Sequence, residues 1–177
     1  MANFKFALHK TLLHEGGYVH DPDDSGGETY KGISRAAHPT WSGWATIDNY
    51  KTKENFPKTL DQNTELQQQI EQFYYANYWQ PLNADKIETQ AVADSVFDFA
   101  INAGIKTSVR LAQNIIGADV DGIIGPQTLE KLNVFNPNHF LSAFTLAKIS
   151  HYLSIIKKRP SNQKYLYGWF NRALDYQ

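Results

Sequence analysis

One glutamate combines a reactive group with surroundings that suit acid catalysis. Glu15 follows a predicted first helix, Asn3 to His14, and falls on the same apolar face as Leu8 and Leu12. Burial on that face and the negative end of the helix dipole both disfavour the charged carboxylate. A carboxyl group that keeps its proton near neutral pH can protonate a glycosidic oxygen. The spacing therefore predicts a general acid, although a glutamate that merely ends a surface helix has the same spacing.

The loop after Glu15 carries further carboxylates, which could stabilise an oxocarbenium ion or orient water. Asp24 is the strongest candidate for this second role, and Thr29 lies five residues beyond it. Asp23 and Glu28 are interpreted as turn or surface residues. Asp21 is either structural or in contact with the substrate.

The elements that must position these residues are mainly helical. The pair Gly16-Gly17 is expected to end the first helix as a left-handed cap, and a glycine-rich loop or short hairpin follows it. Residues 38–57 are predicted to be irregular. Apolar periodicity and capping residues predict later helices at 63–80, 88–103, 106–116, 137–159 and 162–176, and a short helix that begins at Pro126. Asn63 or Thr64 begins the first of these, and Thr64 with Gln67 forms a possible capping box. The fold class is therefore predicted to be mainly α.

Composition excludes several classes of protein. The chain has 177 residues, no cysteine and a net charge of −1, so disulfides and cysteine-based zinc sites are excluded. Because no basic stripe is visible, we expect no nucleic-acid partner. No apolar run is long enough for stable membrane insertion. We expect a monomer that needs no metal or other cofactor.

A long motif then points to a family. Residues 15–34, EGGYVHDPDDSGGETYKGIS, resemble the signature of glycoside hydrolase family 108. The resemblance implies a lysozyme-like helical fold, and cleavage of the β-1,4 bond between N-acetylmuramic acid and N-acetylglucosamine with Glu15 as the acid. A looser similarity to phage-type lysozymes implies that Asp24 supports the developing charge and that Thr29 positions water. His20 and Ser25 depart from the residues usual in the family, which bears on fine substrate preference.

The second half of the chain resembles a small peptidoglycan-binding module. The similarity rests on residues 98–104, 111–117 and the pattern DGIIGPQT at 121–128. It implies a catalytic region at 1–88 and a helical peptidoglycan-binding-like region at 89–177 packed on it, either as two regions or as one globular unit. The pattern at 121–128 fits either sugar contact or a scaffolding role. Asp98 and Asn102 are four residues apart on one helix face, and they are candidates for substrate contact or for a solvated face.

Aromatic residues could provide stacking surfaces for sugar rings. Tyr30 and Trp44 stand in glycine-rich segments, so they are the strongest candidates for exposed rings that bind substrate. Phe73 and Trp79 are expected to pack in the core.

Two other functions remain open. A zinc amidase that uses His14, His20 and Asp21 is conceivable, and so is a non-catalytic wall-binding or secretion-accessory module on the same scaffold. The segment Asp24-Ser25-Gly26-Gly27 resembles that of a serine protease, but the helical pattern excludes that fold. Since no signal peptide is visible, we expect synthesis in the cytoplasm and action in the periplasm or cell wall. The family resemblance implies release by a holin or another export system.

Overall fold

The computed structural model describes residues 1–20 and 27–175. Helices dominate this part of the chain and accompany one small sheet, which confirms the predicted mainly α class. The helices are α1 Phe4–Leu12, α2 Gly43–Tyr50, α3 Thr64–Tyr74, α4 Gln90–Ala103, α5 Ile105–Ile116, α6 Pro126–Val134, α7 Pro137–Lys158 and α8 Leu166–Leu174. The strands are β1 Tyr18–His20, β2 Glu28–Tyr30 and β3 Ile33–Ser34.

The chain divides into two compact units. One is Leu8–Asn77, here called the sheet unit, and the other combines Met1–Ala7 with Tyr78–Gln177, here called the helical unit. The predicted boundary between residues 88 and 89 stays a prediction. Within residues 1–20 and 27–175, no helix is both long and apolar enough to cross a bilayer.

The sheet unit contains an antiparallel sheet in the order β1-β2-β3. Tyr30 pairs with Ile33 across a two-residue turn, in which Lys31 and Gly32 have φ values of 45° and 79°. Positive φ at both central residues is the conformation that suits the twist of a tight hairpin. The hydroxyl of Tyr74 on α3 donates to the carbonyl oxygen of Lys31 at 2.6 Å, which ties the turn to the helix.

Two local predictions in the sheet unit need correction. Residues 38–57 are not irregular throughout, since α2 forms there and buries Trp44 and Ile47. These residues are three apart on one helix face, a short apolar pattern that the neighbouring polar residues obscured. Asn63, rather than Thr64, caps α3, because its side chain accepts from the amide of Leu66 at 2.8 Å.

The helical unit is built around α4. Every residue from Val92 to Ala100 is buried, so this helix is covered on all sides. Asp98 and Lys148 are among its buried charged groups, and Asp98 forms a two-pronged ion pair with Arg172 of α8. Lys148 Nζ donates to Ser95 Oγ at 3.1 Å and to the carbonyl of Ala173 at 3.3 Å.

Residues of the DGIIGPQT pattern at 121–128 form hydrogen bonds within the helical unit. The buried side chain of Gln113 donates to Asp121 Oδ1 at 2.7 Å and to Thr128 Oγ1 at 3.2 Å. Its own oxygen accepts from the amide of Gly122 at 2.9 Å. The polar residues of the pattern therefore hold the loop before α6 against α5, and these contacts fit the scaffolding role.

Candidate active site

Glu15 lies in the bend between α1 and β1. The helix ends at Leu12, because the amides of Leu13 and His14 bond to carbonyls only three residues back. The predicted helix to His14 is therefore too long by two residues, and Glu15 follows a turn instead of continuing the helix face. Its side chain is half-buried, so it is partly open to solvent.

The carboxyl group of Glu15 packs against the hairpin turn. Its Oε2 lies 2.7 Å from the position that a Cβ on residue 32 would occupy, and the hydroxyl oxygen of Tyr74 lies at the same distance. Gly32 also has a positive φ of 79°. Only glycine meets both conditions, the backbone conformation and the close approach of two oxygens. The turn therefore fixes where the carboxyl group can lie.

Gly16 and Gly17 play a different part from the one predicted. Neither has a positive φ, so the predicted left-handed cap is wrong. Both are exposed, and a Cβ at either would meet nothing within 4 Å. The backbone beside Glu15 is thus uncrowded among the described residues.

Of the predicted partners of Glu15, Thr29 is among the residues that the structure describes. Asp21 and Asp24 lie outside the described residues. Thr29 is half-buried in the middle of β2, between Val19 and Ser34 on the neighbouring strands. Strand alternation places Thr29 on the opposite face from Glu28 and Tyr30, which are both buried.

Glu28 is the centre of an ion-pair network, not a turn or surface residue. It is 7% exposed, and its oxygens lie 2.8 Å from both Arg35 Nε and Lys51 Nζ. The hydroxyl of Tyr18 donates to the same carboxylate at 2.9 Å. Asp48 completes the network, with oxygens 2.8 Å from Arg35 and from Lys51. Two acids and two bases thus neutralise one another and join β2 to α2.

The network shifts the titration of its members. Hydrogen bonds from Arg35 and then Lys51 hold the pKa of Asp48 below its usual range. Burial, followed by the hydrogen bond to Glu28, raises the pKa of Tyr18. Because Glu28 is buried and held by two cations, it is unsuited to be the second carboxylate of a reaction at Glu15.

The prediction that Tyr30 and Trp44 expose their rings is wrong. Tyr30 is 1% exposed, and its hydroxyl bonds to Asp61 and Gln67. Burial raises its pKa well above the usual value. Trp44 is also buried and donates its indole N–H to the carbonyl of His38 at 2.8 Å. Their glycine-rich surroundings suggested loops, whereas the sheet and α2 enclose both rings.

The remaining candidates lie in the helical unit. Asp98 was expected either to contact substrate or to lie on a solvated helix face, and neither expectation fits the structure. Its side chain is 3% exposed, and its carboxylate forms an ion pair with Arg172 at 2.8 Å. Asn102 is exposed and accepts from the hydroxyl of Tyr152 at 2.9 Å. Phe73 and Trp79 are buried, as predicted.

Sequence reasoning missed two residues that shape the position of Glu15. Gly32 lies inside the motif at 15–34, but the motif does not distinguish it from the other glycines of the loop. Tyr74 lies in the predicted helix at 63–80, and no sequence pattern indicates that its hydroxyl reaches the hairpin 43 residues earlier. Within the described ranges, no group of three or more histidine, aspartate or glutamate side chains is placed to hold a metal ion.

Comparison with known proteins agrees with the motif. A family model described as Glycosyl hydrolase 108 matches residues 8–104, and one described as Predicted Peptidoglycan domain matches residues 107–174. No curated protein matches the sequence. A solved structure titled "Structure of Brucella abortus SagA" is 25% identical, with a TM-score of 0.69 over 98% of this chain and 90% of that chain.

These matches support a lysozyme-like fold and a glycoside hydrolase that acts on peptidoglycan. The first match covers more than half of the chain. The chain therefore belongs to the glycosyl hydrolase 108 family.

Proposed function

We propose that this chain hydrolyses the β-1,4 bond between N-acetylmuramic acid and N-acetylglucosamine in peptidoglycan, with Glu15 as the general acid. The observation that carries the proposal is the position of the Glu15 carboxyl group against Gly32 and Tyr74. A general acid must be held within hydrogen-bond reach of the oxygen that it protonates. The Glu15 residue is half-buried, so it packs against the turn without being closed off from solvent.

A second group is needed to support the charge that develops at the anomeric carbon or to hold the attacking water. We assign the first role to Asp24 and the second to Thr29. Two observations support the assignment of Thr29: its side chain is only half-buried, and its strand β2 leads directly into the Lys31-Gly32 turn against which Glu15 packs. Glu28 is set aside because Arg35 and Lys51 already pair with it.

The test compares the native chain with Glu15→Gln on purified peptidoglycan, by loss of turbidity and by release of reducing ends. We expect the substitution to lower the rate by about 10²–10⁴-fold, the usual contribution of a general acid. Glu65→Gln is a matched control, since Glu65 is an exposed glutamate on α3 of the same unit. It should retain the native rate.

Three results would overturn the proposal: no cleavage by the native chain, equal cleavage by Glu15→Gln, or activity that disappears with a chelator. The first would favour a non-catalytic wall-binding module. Activity that disappears with a chelator would instead favour the zinc amidase. Asp24→Asn and Thr29→Val test the second group, and a folded variant with full activity removes that residue from the mechanism.

A further inference from the structure

A cleft of about 410 Å³ lies within the sheet unit, and neither Glu15 nor Gly32 is among its lining residues. Its size is at the lower end of the range of about 300–1,000 Å³ for small-molecule sites. One wall is the segment between β3 and α2, and the other is the second half of α3 with Asn77, which follows that helix. The lining residues used below are His38, Trp41, Gln69, Phe73 and Asn77.

Aromatic rings form one part of the lining. His38 and Phe73 meet edge to face with ring centroids 4.7 Å apart, and Trp41 lies 6.0 Å from Phe73. The Trp41 ring lies directly on Gly43, where a Cβ would be 2.3 Å from the nearest ring atom. The absence of a side chain at position 43 thus lets Trp41 take this place. Sugars bind against such rings through their C–H faces.

Two polar atoms of the lining residues are buried without a partner. Among the described residues, neither the indole Nε1 of Trp41 nor the amide Oε1 of Gln69 has a hydrogen-bond partner. The indole N–H can only donate, and the amide oxygen can only accept. A buried polar atom without a partner costs about 1–3 kcal/mol, so such atoms call for an explanation. An acetamido group presents one carbonyl acceptor and one N–H donor, the complement of this pair.

The lining residues include no lysine, arginine, aspartate or glutamate. The cleft therefore lacks the permanent cation that would neutralise a phosphate or carboxylate ligand. Asn77 uses its amide N–H₂ to donate to the carbonyl of Phe73 at 2.8 Å, which leaves its oxygen as a further acceptor at an exposed position. The chemistry therefore fits a neutral ligand with an aromatic-binding face and an amide group.

We propose that this cleft is a saccharide subsite that binds one N-acetylhexosamine unit of the glycan, with its acetamido group bonded to Trp41 and Gln69. The inference rests on the proposed function, since it extends the substrate beyond the bond at Glu15. The two places are connected through α3: Phe73 lines the cleft, and its ring lies 5.4 Å from that of Tyr74, whose hydroxyl contacts the Gly32 turn.

The test titrates the full-length Glu15→Gln chain, which should not cleave the ligand, with chitotetraose and with cellotetraose. Both are β-1,4-linked tetrasaccharides, but only chitotetraose carries acetamido groups. We expect chitotetraose to shift the indole N–H resonance of Trp41 saturably in ¹⁵N-resolved spectra, and cellotetraose to leave it in place. The indole resonance of Trp79 is the internal reference, because its ring is fully buried and its N–H already donates to Asp85 at 2.7 Å. Equal shifts with both ligands, or no shift at Trp41, would overturn the proposal.

Variants then assign the contacts. Trp41→Phe keeps a ring and removes the N–H, and Gln69→Ala removes the acceptor, so each should weaken chitotetraose binding by about tenfold. Gln68→Ala is the matched control, an exposed glutamine beside Gln69 on the same helix. Unchanged binding by both folded variants would contradict the proposal.

The titration of the Glu15→Gln chain requires no substitution in the cleft. It therefore tests saccharide binding at Trp41 even if a variant of the cleft residues unfolds. Failure of this inference is distinguishable from failure of the proposed function. Loss of cleavage in Glu15→Gln can be observed whether or not the cleft binds chitotetraose.

Discussion

Replacing Gly32 with alanine should reduce activity far more than it reduces stability. A methyl group at this position would lie 2.7 Å from Glu15 Oε2 and from the Tyr74 hydroxyl. Non-bonded contacts to carbon are favourable at about 3.5 Å, so the oxygens must withdraw by about 0.8 Å. Tyr74 is held by its 2.6 Å bond to the carbonyl of Lys31. We therefore expect the more exposed Glu15 carboxyl group to move.

The size of the effect follows from this displacement. A misplacement of about 1 Å at a reacting group can lower a rate by about 10²-fold, so Gly32→Ala should lose roughly that much of its kcat on purified peptidoglycan. The positive φ of 79° adds about 1–2 kcal/mol of instability for any residue with a Cβ. That loss leaves most of the chain folded at 25 °C if the stability of the domain is ordinary.

Gly117→Ala is the matched control for backbone strain. Gly117 has a φ of 64°, and a Cβ there meets nothing within 4 Å. It should lose a similar amount of stability in urea denaturation and keep the native kcat. If Gly32→Ala also keeps the native kcat within about twofold, the reasoning about the position of Glu15 is refuted.

Three further predictions concern the rest of the molecule. Glu28→Gln should lower the free energy of unfolding by about 3 kcal/mol in urea denaturation, because it breaks a buried ion-pair network; a loss below about 0.5 kcal/mol would contradict this. Gln113→Ala should cost about 2–4 kcal/mol by leaving buried partners unsatisfied, whereas an unchanged urea midpoint would show that the loop before α6 needs no such bonds. Burial raises the pKa values of Tyr30 and Tyr152 in the folded chain, so their contribution to stability is complete below the unfolded pKa of about 10 and is lost as the pH rises above it. The urea concentration at the unfolding midpoint should therefore decrease as the pH is raised beyond 10. A midpoint that stays constant up to pH 11.5 would refute the raised pKa values of the two tyrosines.

Local patterns in the sequence were sufficient to predict most of the helices. The glycine at 117 and the Asn136-Pro137 pair mark helix ends because capping depends on neighbouring residues alone. The end of α1 was placed two residues too late, since the last turn changes to tighter hydrogen bonding without a residue that signals it. The segment at 38–57 was misjudged because α2 has only eight residues.

The site was predictable only in part. Glu15 could be found from its motif, but its fixed position depends on Gly32 and Tyr74, and contacts between distant residues leave no periodic signal. The same holds for the pairing of Glu28 with Arg35 and Lys51. Exposure was the least reliable inference: a glycine-rich neighbourhood suggested open loops at Tyr30, where the sheet instead buries the ring.

The most direct test of the central claim is the identity of the sugar at the new chain end. Peptidoglycan is digested with the native chain or with Glu15→Gln, the products are reduced with borohydride, and the amino-sugar alcohols are quantified after acid hydrolysis. The proposed function predicts that the native chain produces muramitol and that Glu15→Gln produces at least about 10²-fold less. Glucosaminitol as the main product, or equal muramitol from both chains, would contradict the assignment of the bond or of Glu15.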